Sequence, residues 1–234
     1  MENRQRDANE HEAACARVAA HFHQRWLRGY VSSKLRRDPI YSSAYELMRD
    51  SSEPILDLGC GLGLLAFYLR ERGCGQPLLG LDLDRRKIEQ GQQAAQAHYD
   101  EVDLRHQDVQ LPLPAFSGNI VLFDVLHYLP LRQQTELLRQ LAQRVAPGGL
   151  LMIRDCPRDN GPRFWITYAA EKFAQLISWN LRTSFYFPSR EQINEAFPPQ
   201  EFERESRALW GKSPFNNYLF IFRRRAHAAV PVSE

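Results

Sequence analysis

Ile55-Leu56-Asp57-Leu58-Gly59-Cys60-Gly61-Leu62-Gly63-Leu64-Leu65-Ala66 is the stretch on which the reading of this chain turns. It begins as a short buried strand, passes through a glycine-dense turn and enters a helix. Without a Cβ, the backbone of such a turn can come close to a bound molecule, and the amides at the helix start face it. One glycine suffices for a tight strand–helix turn, so Gly59, Gly61 and Gly63 together point to a ligand. Asp57 adds an acid inside the strand, just before the first glycine. The pattern is that of the opening unit of a doubly wound α/β domain.

The segments on either side extend this reading. Strands are expected at Leu78–Leu83, Val102–His106, Asn119–Phe123 and Leu150–Arg154, separated by amphipathic helices such as Leu64–Arg72 and Leu131–Val145. Apolar runs alternating with helices predict a parallel sheet covered on both faces. A hairpin of Glu203–Leu209 and Tyr218–Phe222 closes the chain, after a helix opened by the capping box Ser189-Arg190-Glu191-Gln192. Upstream, residues from Glu10 to Met48 are helical in pattern, with Phe22, Trp26 and Tyr30 recurring at i, i+4, i+8, Leu27 and Val31 beside them, and a break at Asp38-Pro39. The ends, MENRQRDANE and RRRAHAAVPVSE, lack apolar periodicity and are expected to be mobile.

The 234 residues carry a formal charge of +2, which announces no nucleic-acid binder. Cys15, Cys60, Cys74 and Cys156 are scattered without a C-x-x-C pair and read as reduced thiols. The polar opening resembles no secretory signal and no apolar run reaches the length of a membrane span, so a cytoplasmic location is expected.

Two ligand readings compete at the glycine turn. Gly61-Leu62-Gly63-Leu64-Leu65-Ala66 fits the dinucleotide signature G-x-G-x-x-G/A, with Asp82 nineteen residues after Gly63. An NAD(P)-dependent oxidoreductase is therefore one alternative. In either reading Asp82, at the end of the second strand, can accept both hydroxyl hydrogens of a ribose diol. Asp84 reads as the cap of the next helix.

The later motifs favour the second reading. Asp57 ahead of the glycines, Asp108-Val109 after the third strand, Phe123-Asp124-Val125-Leu126-His127-Tyr128-Leu129 after the fourth and Ala146-Pro147-Gly148-Gly149-Leu150-Leu151 before the fifth occur in this order. Together they resemble class I S-adenosylmethionine (SAM) dependent methyltransferases over roughly residues 55 to 154. That resemblance implies a seven-stranded, mostly parallel doubly wound sheet with an antiparallel C-terminal hairpin. It implies SAM as cofactor, contacted at Asp57, Gly59, Cys60, Gly61, Gly63, Asp82, Leu83, Asp108, Val109 and Asp124. Within it, an acid at Asp108 accepts the adenine amino hydrogen.

His127 is the candidate general base, because an imidazole titrates near neutrality; a structural hydrogen bond is the other reading of it. The segment after the fourth strand lacks the Asn/Asp-Pro-Pro-Tyr/Phe signature of amino-group methylation, which lowers the case for nucleic acid. The fifth strand ends in Asp155-Cys156, where metal-dependent relatives carry Asp-Asn, so no catalytic metal is expected. The second alternative is a non-catalytic partner subunit of the same fold.

The expected organisation is an N-terminal helical lid over residues 1–50, a methyltransferase domain over 51–225 with an aromatic-rich insertion at 156–188, and a flexible tail over 226–234. Phe164, Trp165, Tyr168, Phe173, Trp179, Phe185, Tyr186 and Phe187 suit a flat or greasy acceptor, although ordinary core packing accounts for many of them. Tyr30, Lys34 and Tyr41 are placed to reach over the cofactor. The expected acceptor is a small or carrier-bound molecule, methylated at oxygen or carbon. The basic stretch 21–37 offers contact with an acyl carrier protein or an anionic membrane surface, or simply a solvated helix face. The N-terminal segment and Ser213-Pro214-Phe215-Asn216-Asn217 faintly resemble methyltransferases of bacterial aryl-polyene pigment clusters.

Overall fold

The computed structural model describes residues 2–159, 161–176, 184–211 and 213–226. Its strands are β1 Ile55–Leu58, β2 Leu78–Asp82, β3 Val102–His106, β4 Asn119–Phe123, β5 Leu150–Asp155, β6 Phe202–Ala208 and β7 Tyr218–Arg224. They form one sheet in the order β3-β2-β1-β4-β5-β7-β6. The first five run parallel, and β7 lies antiparallel to both β5 and β6. The order reverses between β1 and β4, and at such a switch point the carboxyl ends of the strands leave a crevice.

Alternate residues of each strand feed two cores. Ile55, Val121, Met152 and Ile221 face one side, where they meet α4 Leu64–Glu71 and α5 Arg85–His98. Leu56, Leu58, Leu122, Ile153 and Phe222 face the other, against α6 Leu131–Arg144 and α8 Arg190–Glu195. The first core also includes the N-terminal helices α1 Glu2–Ala20, α2 Arg25–Arg37 and α3 Ile40–Met48. These helices are thus packed into the body of the protein as well as covering the sheet's carboxyl edge.

Strand boundaries fall within a residue or two of those expected, and the capping box at Ser189 forms as read, with Ser189 Oγ accepting from Gln192 N. Two expectations fail. The first ten residues, expected to be mobile, are helical from Glu2. The apolar face of α1 begins only at Ala14, but Arg72 pairs with Asp7, and the His11 ring lies 2.7 Å from the Tyr68 hydroxyl, which extends the helix over α4. In α2 the second fails in part: Phe22 before the helix and Leu27 and Val31 within it are buried as read, joined by Leu35, while Trp26 is exposed and Tyr30 is only partly buried. Residues 227–234, Asn160, Trp179 and Lys212 lie outside the described residues. Among those described, no helix is long and apolar enough to cross a membrane.

Candidate functional site

The turn after β1 folds as its glycines require. Gly59 has φ +79°, and a Cβ there would meet Val125 Cγ2 at 2.3 Å. Gly63 caps α4 at φ +77°, with Leu104 Cδ1 at 2.7 Å from the place a Cβ would take. These are left-handed torsions in a crowded space, and only glycine fits both demands.

Asp82 organises the turn from the end of β2. Its carboxylate accepts from Gly61 N at 2.8 Å and from Asp84 N at 2.7 Å, one bond to each oxygen. Each oxygen keeps a lone pair for another donor. This bracing role was not read from the sequence, which offered Asp82 for a ribose alone. Asp84 caps α5 as read, accepting from Arg86 N at 3.1 Å.

Asp57 lies buried at the foot of the turn, and no side-chain hydrogen bond reaches it among the described residues. Burial, and then the negative charge of Asp82, push its carboxyl up to about 7. Asp108 Oδ1 accepts from Gln110 N at 3.0 Å and so shapes its own loop.

Asp57, Gly59, Cys60, Gly61, Asp82, Leu83, Asp108, Val109 and Asp124 all line one cavity of about 570 Å³. Gly63 sits just behind its wall at the helix start. The opposite wall comes from α2, α3, the ends of β4 and β5, and α7 Pro162–Leu176, through Tyr30, Tyr41, Tyr128, Arg154 and Glu171. Tyr30, Lys34 and Tyr41, offered by the sequence as groups over the cofactor, do face this cavity.

Ion pairs hold that opposite wall. Arg154, the penultimate residue of β5, is buried and donates from Nη1 to both Asp38 oxygens at 2.6 Å and from Nε to Asp124 Oδ1 at 2.9 Å. Lys34 Nζ lies 2.9 Å from Asp38 Oδ2. Burial opposes charge on Asp38, but Arg154 and Lys34 outweigh it and hold the carboxyl down at about 2. Asp124 adopts φ +57°, a left-handed torsion that aspartate tolerates better than most residues. Beside this cluster, the Tyr128 hydroxyl donates to Glu171 Oε2 at 2.8 Å.

His127 stands apart. It is buried beneath the aromatic segment, its ring stacked 5.3 Å from that of Phe187, and it does not line the cavity. Nδ1 lies 2.8 Å from Asp155 Oδ1, and Nε2 has no hydrogen-bond partner. Burial disfavours its charged form, but the Asp155 carboxylate and its hydrogen bond prevail and push the imidazole up to about 9. Asp155, the acid at the end of β5 where a metal was considered, is engaged with His127. Among the described residues no group of three or more His, Cys, Asp or Glu side chains could hold a metal ion.

Sequence reading passed over Arg154, Asp38 and Glu171. A signal existed for the first: an arginine in the otherwise apolar run Leu150–Ile153 must be paired if it is buried. The contacts of Asp38 and Glu171 depend on the tertiary fold.

A floor that bears a carboxylate without a hydrogen-bonded partner among the described residues, under a turn with no room for a Cβ at Gly59 or Gly63, suits a ligand rich in donors or positive charge. A family model described as a methyltransferase domain matches residues 24–206. The demethylmenaquinone methyltransferase of Thermus thermophilus is 28% identical over 186 residues, 76% of each chain. The ribosomal protein L11 methyltransferase of Burkholderia ambifaria is 32% identical over 111 residues, 46% of this chain. That alignment spans about a third of the Burkholderia protein's length, 34%. Among solved structures, magnesium protoporphyrin IX methyltransferase of Synechocystis PCC 6803 with bound S-adenosylhomocysteine superposes with a TM-score of 0.62. It is 16% identical, and the superposition covers 91% of this chain and 93% of that one. The dinucleotide alternative gives way: by its sheet order and its family match, this chain belongs to the class I SAM-dependent methyltransferases.

Proposed function

We propose that the cavity holds SAM along the ends of β1, β2 and β3 and presents it to a small or carrier-bound acceptor, which is methylated at oxygen or carbon. The observation that carries this reading is the continuity of the cavity, from the glycine turn to the tyrosine-lined wall beneath α2 and α7. SAM supplies a methyl group already activated on a sulfonium, so the protein's task is to position the acceptor and exclude water.

Asp57 and the Gly59–Gly63 turn hold the amino-acid end of the cofactor, Asp82 the ribose, and Asp108 with Val109 the adenine. Cys60 and Leu83 fill the space between them. Asp124, fixed by Arg154, borders the reacting end. Tyr30, Tyr41 and Tyr128 give the acceptor flat surfaces and hydroxyl groups. An unsaturated ring fits such a wall, and the demethylmenaquinone named for the Thermus relative is a ring of that kind. Residues 1–50 act as a lid in this scheme, and 51–225 form the catalytic domain.

His127, offered by the sequence as a base, lies behind Tyr128 and off the cavity, held by Asp155, and the role proposed for it is to position Tyr128 at the cavity wall. Purified protein incubated with labelled SAM and a native extract, followed by mass spectrometry, tests the whole scheme. A labelled small molecule is expected; label in no product rejects it. For His127→Ala, turnover is expected to fall by about tenfold while SAM affinity holds. Loss of one limb of the pH–rate profile in that variant would instead make His127 the base.

A further inference from the structure

Helix α7 is inverted in its exposure. Phe164 and Thr167 are buried, whereas Trp165 (57% exposed), Ile166, Ala169 and Phe173 (64% exposed) face solvent. Their spacing places them on one stripe of the helix. A helix that turns its largest apolar side chains outward marks a surface that meets something other than water.

Trp26 of α2, 58% exposed, lines the same cavity as Glu171 of α7. Helix α2 carries Arg25, Arg28, Lys34, Arg36 and Arg37 and no acid. Lys34 and Arg36 pair with Asp38 and Glu12. Arg25, Arg28 and Arg37 are exposed and meet no carboxylate among the described residues. Two helices that line the cavity thus carry, on α7, an outward apolar stripe on the face opposite Glu171 and, on α2, an exposed tryptophan and uncompensated cations.

We infer that the mouth of this cavity docks on an anionic lipid bilayer, with the outer stripe of α7 and Trp26 inserted at the headgroup boundary and the cations of α2 against acidic headgroups. Apolar insertion and basic attraction are the two signals that peripheral binding requires, and tryptophan favours that boundary. A second copy of the chain fits worse, because a two-fold contact over this face would bring the α2 cations near one another. An acidic carrier protein answers the cations but leaves the α7 stripe in water. Insofar as the inference bears on catalysis it rests on the function proposed above: an acceptor dissolved in lipid would enter the cavity from the bilayer.

The test is co-sedimentation of the full chain with phosphatidylcholine vesicles, with and without phosphatidylglycerol, in the absence of cofactor and acceptor. Its failure therefore leaves the methyl-transfer reading untouched. Binding to the anionic vesicles is expected to exceed that to neutral ones by about tenfold or more, and to weaken as salt rises from about 0.1 M to about 0.5 M. Arg25→Glu with Arg37→Glu, and separately Trp165→Ser with Phe173→Ser, should each reduce it by about tenfold or more. All four side chains are exposed, and circular dichroism melts check that the variants fold. Wild-type protein that stays in the supernatant with both lipids overturns the inference. So does equal binding to both lipids, binding that neither pair of changes weakens, or a wild-type dimer that Trp165→Ser with Phe173→Ser dissociates.

Discussion

The two walls of the cavity are built by different means. The wall at β1 and β2 is made almost wholly by backbone: a turn held in left-handed torsions, with Asp82 stapling the amides of Gly61 and Asp84. The wall at β4 and β5 is made by side chains meeting across the chain: Arg154 with Asp38, and Tyr128 with Glu171. The first uses geometry that a short sequence can encode and suits a cofactor common to many enzymes. The second uses contacts that each sequence arranges for itself, where an acceptor is to be chosen.

That contrast can be broken most forcefully at Arg154. Arg154→Met leaves Asp124 without its cation and Asp38 with Lys34 alone, and is expected to cost about 3–5 kcal/mol of unfolding free energy in urea. Adding Asp38→Asn should cost much less than the sum of the two single changes; strict additivity would show that the pair is not coupled. On the backbone wall, Gly59→Ala should cost about 3 kcal/mol, from the torsion and from crowding Val125 together. A variant as stable as the parent would mean that the turn is looser than its geometry implies.

Smaller effects sharpen the comparison. Asp82→Ala should weaken SAM binding by about 1–3 kcal/mol in calorimetry, and unchanged affinity removes Asp82 from the ribose role. Asp57 is raised to about 7, so it gains a proton as pH falls through neutrality and loses the charge that favours a cationic ligand. SAM affinity should therefore drop by about tenfold between pH 8 and pH 6, and Asp57→Asn should abolish that slope.

The least effect concerns His127. Its folded-state value of about 9 exceeds the ordinary imidazole value of 6.5, so its contribution is complete below 6.5 and fades as pH rises toward 9. Asp57 is also raised, but its contribution is already lost once pH passes about 7. Between pH 7.5 and 9.5 the unfolding free energy should decline, and His127→Gln should flatten that decline.

The sheet and the cofactor-side wall were legible because their signals are local. The run Ile120-Val121-Leu122 needs no distant partner to be read as a buried strand, and Gly59 no distant partner to be read as a turn. The wall at β4 and β5 was legible in its tyrosines, in Lys34 and in Asp124, but not in the pairing that holds it. Nothing near Asp38 in sequence shows that it will bind Arg154. His127 was read as a base from its place after β4, yet its position beneath Phe187 follows from a segment sixty residues later. The helix over the first ten residues was missed because polar pairs with α4, rather than an apolar stripe, hold it in place.

The salt bridge from Asp38 to Arg154 joins positions 116 apart in the chain. During synthesis, the N-terminal helices leave the ribosome long before β5 does. A nascent chain that stops short of residue 154 can make the glycine turn but has no anchor for the far side of the pocket. Completion of the reaction chamber is thereby deferred until the fifth strand is added, and a truncated product would be left with an open, unlatched cleft.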